Sequence, residues 1–297
     1  MKKAIIIVNP SSGKEKARDY AEKTENILSN QYSDIVTRLT ESEGDAASFA
    51  REACQEGVTA VIVMGGDGTV NEAINGISDQ THRPRLGIVP LGTINDFARA
   101  LDIPLEPYEA ISILKTQSTK SVDIGKINDA YFANVLAVGA LAEASYNVTA
   151  EQKTRFGPLA YFMESAKSFL GTETIQLRVE HEKGSWEGES FLLLAALTNS
   201  VGGFETLAPD AEVNDGKLHV FIVKQFSFPK IAKIIPSLLK GDLKESEEVE
   251  YVLTSFLNVS STTDHMVNID GEEGQPLPFS ANVLPGHLNV FVPETKE

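Results

Sequence analysis

The residues best suited to chemistry are Gly65-Gly66-Asp67-Gly68-Thr69-Val70-Asn71-Glu72, which directly follow the apolar run Ala60–Met64 and precede a helical pattern. Three glycines let the backbone come close to a ligand and turn its N–H groups toward an anion. A helix starting there adds about half a positive charge, which favours phosphate. Thr69 and Glu72 have capping-box spacing, so the helix is expected to start with them. Asp67 is the odd member of the set. A carboxylate 4 Å from a phosphate is repelled by ~4 kcal/mol at an effective dielectric near 20. Mg²⁺ between them removes that conflict, as in nucleotide-dependent phosphoryl transfer. The alternative is an ordinary strand-to-helix turn with Asp67 as a surface cap. The stretch is neither a Walker A loop nor a Gly-x-Gly-x-x-Gly fingerprint.

Two further turns have the same construction. Asn9-Pro10-Ser11-Ser12-Gly13-Lys14 follows the run Ala4–Val8, and Leu91-Gly92-Thr93-Ile94-Asn95-Asp96-Phe97 follows Leu86–Pro90, with Thr93 and Asp96 again at capping spacing. The elements that must position them alternate. Short Val- and Ile-rich runs at Ala4–Val8, Ile35–Leu39, Val58–Met64 and Leu86–Pro90 are separated by helical stretches near Glu15–Asn30, Asp45–Glu56, Val70–Ile77 and Asn95–Leu101. This pattern predicts a parallel, Rossmann-like α/β sheet covered on both faces, with ligands at the carboxyl ends of its strands.

Beyond a further helical stretch at Pro107–Lys115 the texture changes. Strand patterns dominate at Ser121–Ile127, Tyr131–Val138, Thr174–His181, Glu189–Thr198, Lys217–Lys224, Val249–Ser260, Met266–Ile269 and Leu288–Val292. Asn214-Asp215-Gly216 and Asp270-Gly271 are turn signals of the kind hairpins use. A mostly antiparallel β-sandwich is therefore expected. The boundary falls near residue 125, giving an α/β domain over 1–125 and a β-rich domain over 126–297, and the sequence leaves open whether the last strand rejoins the first domain. Helical inserts are expected at Pro158–Leu170 and Ser227–Lys240. In the second, Ile231, Ile234, Ile235, Leu238 and Leu239 share one face and Lys230, Lys233 and Lys240 another. That is either a helix covering the core or one touching an anionic lipid surface, with Lys14, Lys16, Arg18, Lys153 and Arg155 as further basic candidates.

The chain has 297 residues and a formal charge of −16, which argues against duplex nucleic acid as a partner. A single cysteine, Cys54, excludes an internal disulfide. The longest apolar run, Phe191–Leu197, is too short for a membrane span, and the basic start Met1-Lys2-Lys3 is followed by too few apolar residues for a signal peptide. A cytoplasmic protein is expected. The histidines show no ligand spacing and no Gly-x-Ser-x-Gly elbow occurs, which argues against zinc and hydrolytic chemistry.

In their order along the chain, Asn9-Pro10-Ser11-Ser12-Gly13, the turn from Gly65 to Glu72 with Asn75-Gly76, and Gly92-Thr93-Ile94-Asn95-Asp96-Phe97-Ala98-Arg99 resemble the diacylglycerol kinase catalytic domain. In layout the whole chain resembles the soluble bacterial diacylglycerol and lipid kinases, more weakly in its β domain through Val122-Asp123-Ile124-Gly125, Asn214-Asp215-Gly216 and Ile269-Asp270-Gly271-Glu272. The resemblance implies ATP-dependent phosphorylation of a lipid hydroxyl in a cleft between the domains. It implies that Asn9, Pro10, Ser11, Ser12, Gly13, Thr40, Gly65, Gly66, Asp67, Gly68, Thr69, Val70, Asn71 and Thr93 bind ATP. Asp67, Asp96 and Asp123 would arrange a catalytic Mg²⁺ directly or through water. Asp270 would be the general base, and Asp215 with the carbonyls of Glu212 and Lys217 would hold a structural Mg²⁺.

The implied partner is a lipid at the inner membrane surface, met transiently, and exposed sheet edges make a homodimer a further expectation. Two other readings remain open. One is a soluble-substrate kinase of the NAD kinase or phosphofructokinase type, which shares the Gly-Gly-Asp-Gly turn. The other is a nucleotide- and lipid-binding sensor without turnover.

Overall fold

A computed structural model describes residues 2–12, 16–139, 174–203, 207–225, 237 and 240–294. The chain forms two compact units, Met1–Ile124 with Pro285–Glu297, and Gly125–Leu284. The first is a parallel α/β sheet and the second an antiparallel β-sandwich.

In the first unit, β1 (Lys3–Val8), β2 (Asp34–Leu39), β3 (Ala60–Gly65) and β4 (Arg85–Pro90) alternate with α1 (Ala17–Leu28), α2 (Asp45–Gln55) and α3 (Asp67–Ser78). Two shorter helices follow, α4 (Asp96–Ala100) and α5 (Pro107–Ile113). The strand order is β2-β1-β3-β4, with every pairing parallel, and the far end of β15 (Phe279–Phe291) pairs with β4 through Val290 and Leu86. All six residues of β3 are buried, as expected of a strand covered on both faces, whereas β2 at the edge is mostly accessible. The chain runs from β1 outward to β2 and then back past β1 to β3. The order therefore reverses between β1 and β3, and at such a switch point the loops after the two strands diverge and leave a crevice.

The second unit contains the end of β5 (Thr119–Ile127), then β6 (Ala130–Phe132), β7 (Val135–Gly139), β8 (Ile175–His181), β9 (Gly184–Ala196) and β10 (Leu218–Lys224). It continues with β11 (Val249–Thr254), β12 (Phe256–Ser261), β13 (Met266–Ile269), β14 (Glu272–Pro276) and the start of β15. Neighbouring strands β13, β7, β9 and β8 pair antiparallel, as do β9 with β10 and β10 with β11. Leu193, Ala195, Val220 and Ile222 enter one hydrophobic cluster, while Leu192, Leu194, Phe221 and Val223 enter another. Strands β9 and β10 thus bury both faces, which is why Phe191–Leu197 reads as a continuous apolar run instead of an alternating one.

Several expectations change. The run Tyr131–Val138 is two strands, interrupted at Ala133 and Asn134, and Val249–Ser260 is two strands separated at Ser255. The sequence pattern does not mark strand β14, and the final strand begins at Phe279 rather than Leu288. Neither capping box forms: α3 starts at Asp67 with Gly66 as its cap residue, and α4 starts at Asp96 after Asn95, which has φ +58°. The helical insert expected at Pro158–Leu170 lies outside the described residues, as does that at Ser227–Lys240 apart from Ser237 and Lys240.

Candidate active site

The carboxyl ends of the four parallel strands are stitched together residue by residue. Thr40 N donates to Val8 O (2.9 Å), Asn9 N to Met64 O (2.9 Å) and Leu91 N to Gly65 O (2.8 Å). The loops after β2, β1, β3 and β4 therefore leave the sheet side by side. The side chains then lock the loops to one another. Asn9 Nδ2 donates to Thr69 Oγ1 (3.0 Å), while Asn9 Oδ1 accepts from Ser11 N (3.0 Å) and Ser11 Oγ (2.6 Å). This ties the first turn of α3 to the loop after β1.

Gly66 and Gly92 are where the β3 and β4 loops touch. A Cβ on Gly92 would lie 2.7 Å from Gly66 Cα and 2.7 Å from Asn95 Oδ1, so no larger residue fits without moving backbone. A Cβ on Gly65 would meet Thr69 Cβ at 2.6 Å. Asn95, buried with φ +58°, closes the β4 loop by accepting from Gly92 N (3.0 Å) and donating to Gly92 O (2.9 Å). Asparagine tolerates this left-handed conformation better than most residues because its short amide bonds locally.

Asp67 has a definite place. Its carboxylate accepts from Asn95 N (2.8 Å) and Asp96 N (2.7 Å), the amides at the start of α4. It is the cap of a helix that begins 29 residues further along the chain. Donors inside the protein therefore stabilise its charge, and a bound cation is not the condition for tolerating it. Asp123 is 3 % exposed, and its Oδ1 accepts from Gly286 N (2.8 Å).

Among the other residues expected to bind nucleotide, Gly68, Val70 and Asn71 lie in the first turns of α3. Val70 is buried there, and Asn71 accepts from Asn75 Nδ2 (3.0 Å). Pro10 and Thr93 are exposed, Ser12 N donates to Asn9 O (3.2 Å), and Gly13 lies outside the described residues.

An open cavity of about 240 Å³ adjoins these loops, lined by Asn9, Ser11, Thr40, Thr69, Glu41, Ser42, Glu43 and Glu72. The sequence does not mark the last four as ligand-binding. For Glu41 and Glu43 the signal is position: they follow β2 just after Thr40, and an acidic residue after the second strand is a common feature of nucleotide folds. Asp45 fixes this loop by accepting from Glu41 N (2.7 Å) and Ser42 N (2.8 Å), bonds that hold its carboxyl below the usual carboxylate range. Glu72 accepts from Ala46 N (3.2 Å), which joins α3 to the start of α2.

In the second unit, Asp270 sits in a left-handed turn (φ +50°) between β13 and β14. Its carboxylate accepts from Ala133 N (2.7 Å), Asn134 N (2.9 Å) and Val135 N (2.8 Å). These three amides lie at the break between β6 and β7, so Asp270 holds that break together through charge-assisted bonds.

Asp215 is likewise surrounded by donors. It accepts from Lys217 N (2.8 Å), Glu212 N (3.3 Å) and His219 Nε2 (3.0 Å), and the Glu212 carbonyl accepts from Asp215 N (3.3 Å). Burial acts to raise the Asp215 pKa, but these bonds outweigh it and the net shift is downward. His219 is 4 % exposed, and its Nδ1 meets Tyr251 Oη at 2.8 Å. Three N–H donors meet the Asp215 carboxylate, and the Glu212 carbonyl accepts one amide. Asp215 and the carbonyls of Glu212 and Lys217 are oxygen ligands of the type Mg²⁺ takes, and these bonds use only part of their lone pairs. Asp67, Asp96 and Asp123 are likewise carboxylates, the oxygen ligands that Mg²⁺ takes. No group of three or more His, Cys, Asp or Glu side chains suited to a metal occurs among the described residues.

Residues 3–127 match the diacylglycerol kinase catalytic domain, and residues 134–292 match the YegS C-terminal NAD kinase beta sandwich-like domain. A diacylglycerol kinase of Staphylococcus epidermidis is 36 % identical over 293 residues, covering 99 % of this chain and 93 % of that one. A diacylglycerol kinase of Staphylococcus aureus is 37 % identical over 292 residues, covering 98 % and 93 %. The crystal structure of a diacylglycerol kinase from Bacillus anthracis superposes with a TM-score of 0.84 at 27 % identity, covering 98 % of this chain and 97 % of the other.

Proposed function

The chain belongs to the diacylglycerol kinase family, and from that premise we propose that it transfers the γ-phosphoryl group of ATP to the hydroxyl of diacylglycerol or a related lipid alcohol, with Mg²⁺. Membership makes it a kinase and implies ATP as donor; the lipid acceptor, the metal and the residue roles are the proposal. The observation that carries it is the joining of three motif loops at the carboxyl ends of β1, β3 and β4, beside the polar cavity lined by Asn9, Ser11, Thr40 and Thr69.

Phosphoryl transfer asks mainly for positioning and charge stabilisation, and this loop cluster is built for both. The amides at Gly66 and the first turn of α3 present the positive end of a helix dipole to phosphate. Gly66 and Gly92 keep that surface free of side chains. Asn9, Ser11 and Thr69 add an amide and hydroxyls. Mg²⁺, when bound, would neutralise developing charge on the phosphates, and Asp67, Asp96 and Asp123 are the carboxylates that would hold it through water. Asp67 also orients the amides of Asn95 and Asp96 whether or not metal is present.

An alcohol needs a carboxylate within reach to receive its proton. Asp270 is the first candidate, fixed in place by three amides. Those same amides already engage both of its oxygens, and this supports a second reading. Glu272, exposed at the start of β14 two residues on, would take the proton while Asp270 shapes the turn.

Among the described residues no helix is long and apolar enough to cross a membrane. The test is a panel of lipid alcohols in mixed micelles with Mg²⁺ and labelled ATP, with NAD as control. Label in a phospholipid product supports the proposal, and label on NAD alone transfers the case to a soluble-substrate kinase. Asp270→Asn and Glu272→Gln assign the base: the variant that abolishes turnover while nucleotide binding persists identifies it.

A further inference from the structure

Strand β2 ends the parallel sheet of the first unit, and among the described residues no strand pairs with its outer edge. The register fixes which backbone groups it presents there. Val8 lies opposite Leu39, and Thr40 N donates to Val8 O at 2.9 Å. Along a strand, alternate residues turn both N–H and C=O to the same side. The even-numbered residues of β1 therefore face β2 and the odd-numbered ones face β3, in keeping with the bonds from Asn9 N to Met64 O and from Thr59 N to Lys3 O. By the same register Val36 and Arg38 spend their backbone groups on β1. Ile35, Thr37 and Leu39 turn theirs outward.

An open strand edge is a template for pairing, and proteins commonly blunt it with charges, proline or a bulge. The edge strand β14 of the second unit carries Glu272, Glu273, Gly274 and Pro276. Strand β2 has an unbroken register and neither glycine nor proline. Its Val36 is 49 % exposed and its Leu39 36 %. Val36 lines an open groove of about 250 Å³ between β2 and α2, together with Asp34, Arg38, Glu52 and Glu56.

We propose that two copies of this chain meet at this edge, β2 against β2, antiparallel about a two-fold axis at Val36. That register sets Ile35 opposite the partner's Thr37, so the outward N–H and C=O groups bond one another. It sets Val36 against the partner's Val36 as a close pair, about 4.5 Å between Cα atoms, and covers the exposed apolar surface. It sets Asp34 opposite the partner's Arg38, and symmetry repeats the contact. Within one chain Lys3 Nζ lies 3.5 Å from Asp34, while Arg38 pairs with Glu52 and stacks 4.1 Å from the centre of the Phe49 ring. Charges thus alternate across the seam, from Lys3 to Asp34 to the partner's Arg38 to the partner's Glu52. Either neighbouring register that keeps the outward groups paired sets one of these charges against the partner's Val36 instead, so charge selects the register. The chemistry of the acceptor lipid plays no part in this contact.

The test is sedimentation of the full chain at about 1 to 100 µM, for wild type, Asp34→Lys and Arg38→Glu. Wild type should form a dimer. Each variant alone sets like charges opposite each other twice, and its dimer should weaken about tenfold or more. Mixed in equal amounts, the two variants should form a dimer again, because each then meets the opposite charge in the other. Val36→Cys leaves the charges untouched and brings two thiols together at the axis, within the Cα range a disulfide needs. Mild oxidation should crosslink that variant into a covalent dimer, while buried Cys54 stays reduced.

A wild type that stays monomeric across this range overturns the proposal. Single variants as dimeric as wild type overturn it too, since they place the contact elsewhere. A mixture of folded variants that remains monomeric, or a Val36→Cys chain that stays uncrosslinked while wild type is dimeric, overturns it as well. None of these readings uses phosphoryl transfer, so failure here leaves the proposed function standing.

Discussion

Replacing Asp67 by asparagine separates two roles that sequence logic joins. The carboxylate accepts from Asn95 N at 2.8 Å and Asp96 N at 2.7 Å. An asparagine in the same place offers one carbonyl oxygen and turns its NH₂ toward the second amide. One charge-assisted bond is lost and two donors face each other. Hydrogen bonds to a charged group contribute about 1.5–3 kcal/mol each, so Asp67→Asn should cost about 2–4 kcal/mol. At about 2–4 °C per kcal/mol for a domain of this size, the melting temperature should fall by roughly 5–15 °C. The measurement is a thermal melt followed by circular dichroism in EDTA without nucleotide, so that no metal or phosphate contributes. A variant melting within about 1 °C of wild type under those conditions would refute the clasp. Its loss of activity would then belong wholly to the bound metal or nucleotide.

Gly92→Ala places a methyl 2.7 Å from Gly66 Cα and should cost about 1–3 kcal/mol by overpacking and raise KM for ATP. Gly66→Ala, whose nearest contact is 3.3 Å, should be milder in denaturant unfolding and steady-state kinetics. His287 Nε2 lies 2.9 Å from Ser78 O, and burial first, with the Arg83 charge adding, holds the ring below its usual pKa. The unfolded histidine takes its proton first, so this contribution to stability is complete above about pH 6.5 and is lost as pH falls toward the lower folded value. His287→Gln should therefore lose less stability than wild type between pH 7.5 and 5.5 in urea titrations, and an equal loss removes His287 as the cause. Cys54 is buried with its thiol pushed up to about 11, so a thiol reagent at pH 8 should label it only on unfolding. Tyr251→Phe removes the partner of buried His219 Nδ1 and should cost about 1–3 kcal/mol, read as a lower denaturation midpoint with unchanged m.

Much of the first unit was legible because its signals are local. Val- and Ile-rich runs such as Val58–Met64 have no polar face, which marks a strand covered on both sides, and β3 is buried throughout. The glycine turns at Gly65-Gly66 and Gly92 declared a close approach, although what they approach, each other, was not visible. The capping boxes failed for a related reason. Thr69 and Glu72 have the right spacing, but Thr69 is claimed by Asn9 and Glu72 by the amide of Ala46. In the second unit, the alternating and continuous runs revealed β strands but not their breaks. The break at Ala133 and Asn134 is imposed by the Asp270 carboxylate, and the sheet pairing changes at Ser255, where β11 pairs with β10 but β12 pairs with β8 and β15.

The sequence by itself determined the alternation of strand and helix, the shift to β structure near residue 125, and the turns with the composition to meet phosphate, because each is written within a few consecutive residues. Only the tertiary structure decided what the carboxylates do. Asp67 finds its donors 28 and 29 residues away, and Asp270 finds its own 135 to 137 residues away. A carboxylate in a turn reads the same whether it will hold a metal, take a proton or cap a distant amide. Its lone pairs are assigned by whatever the folded chain brings within 3 Å, and one-dimensional spacing carries no record of that.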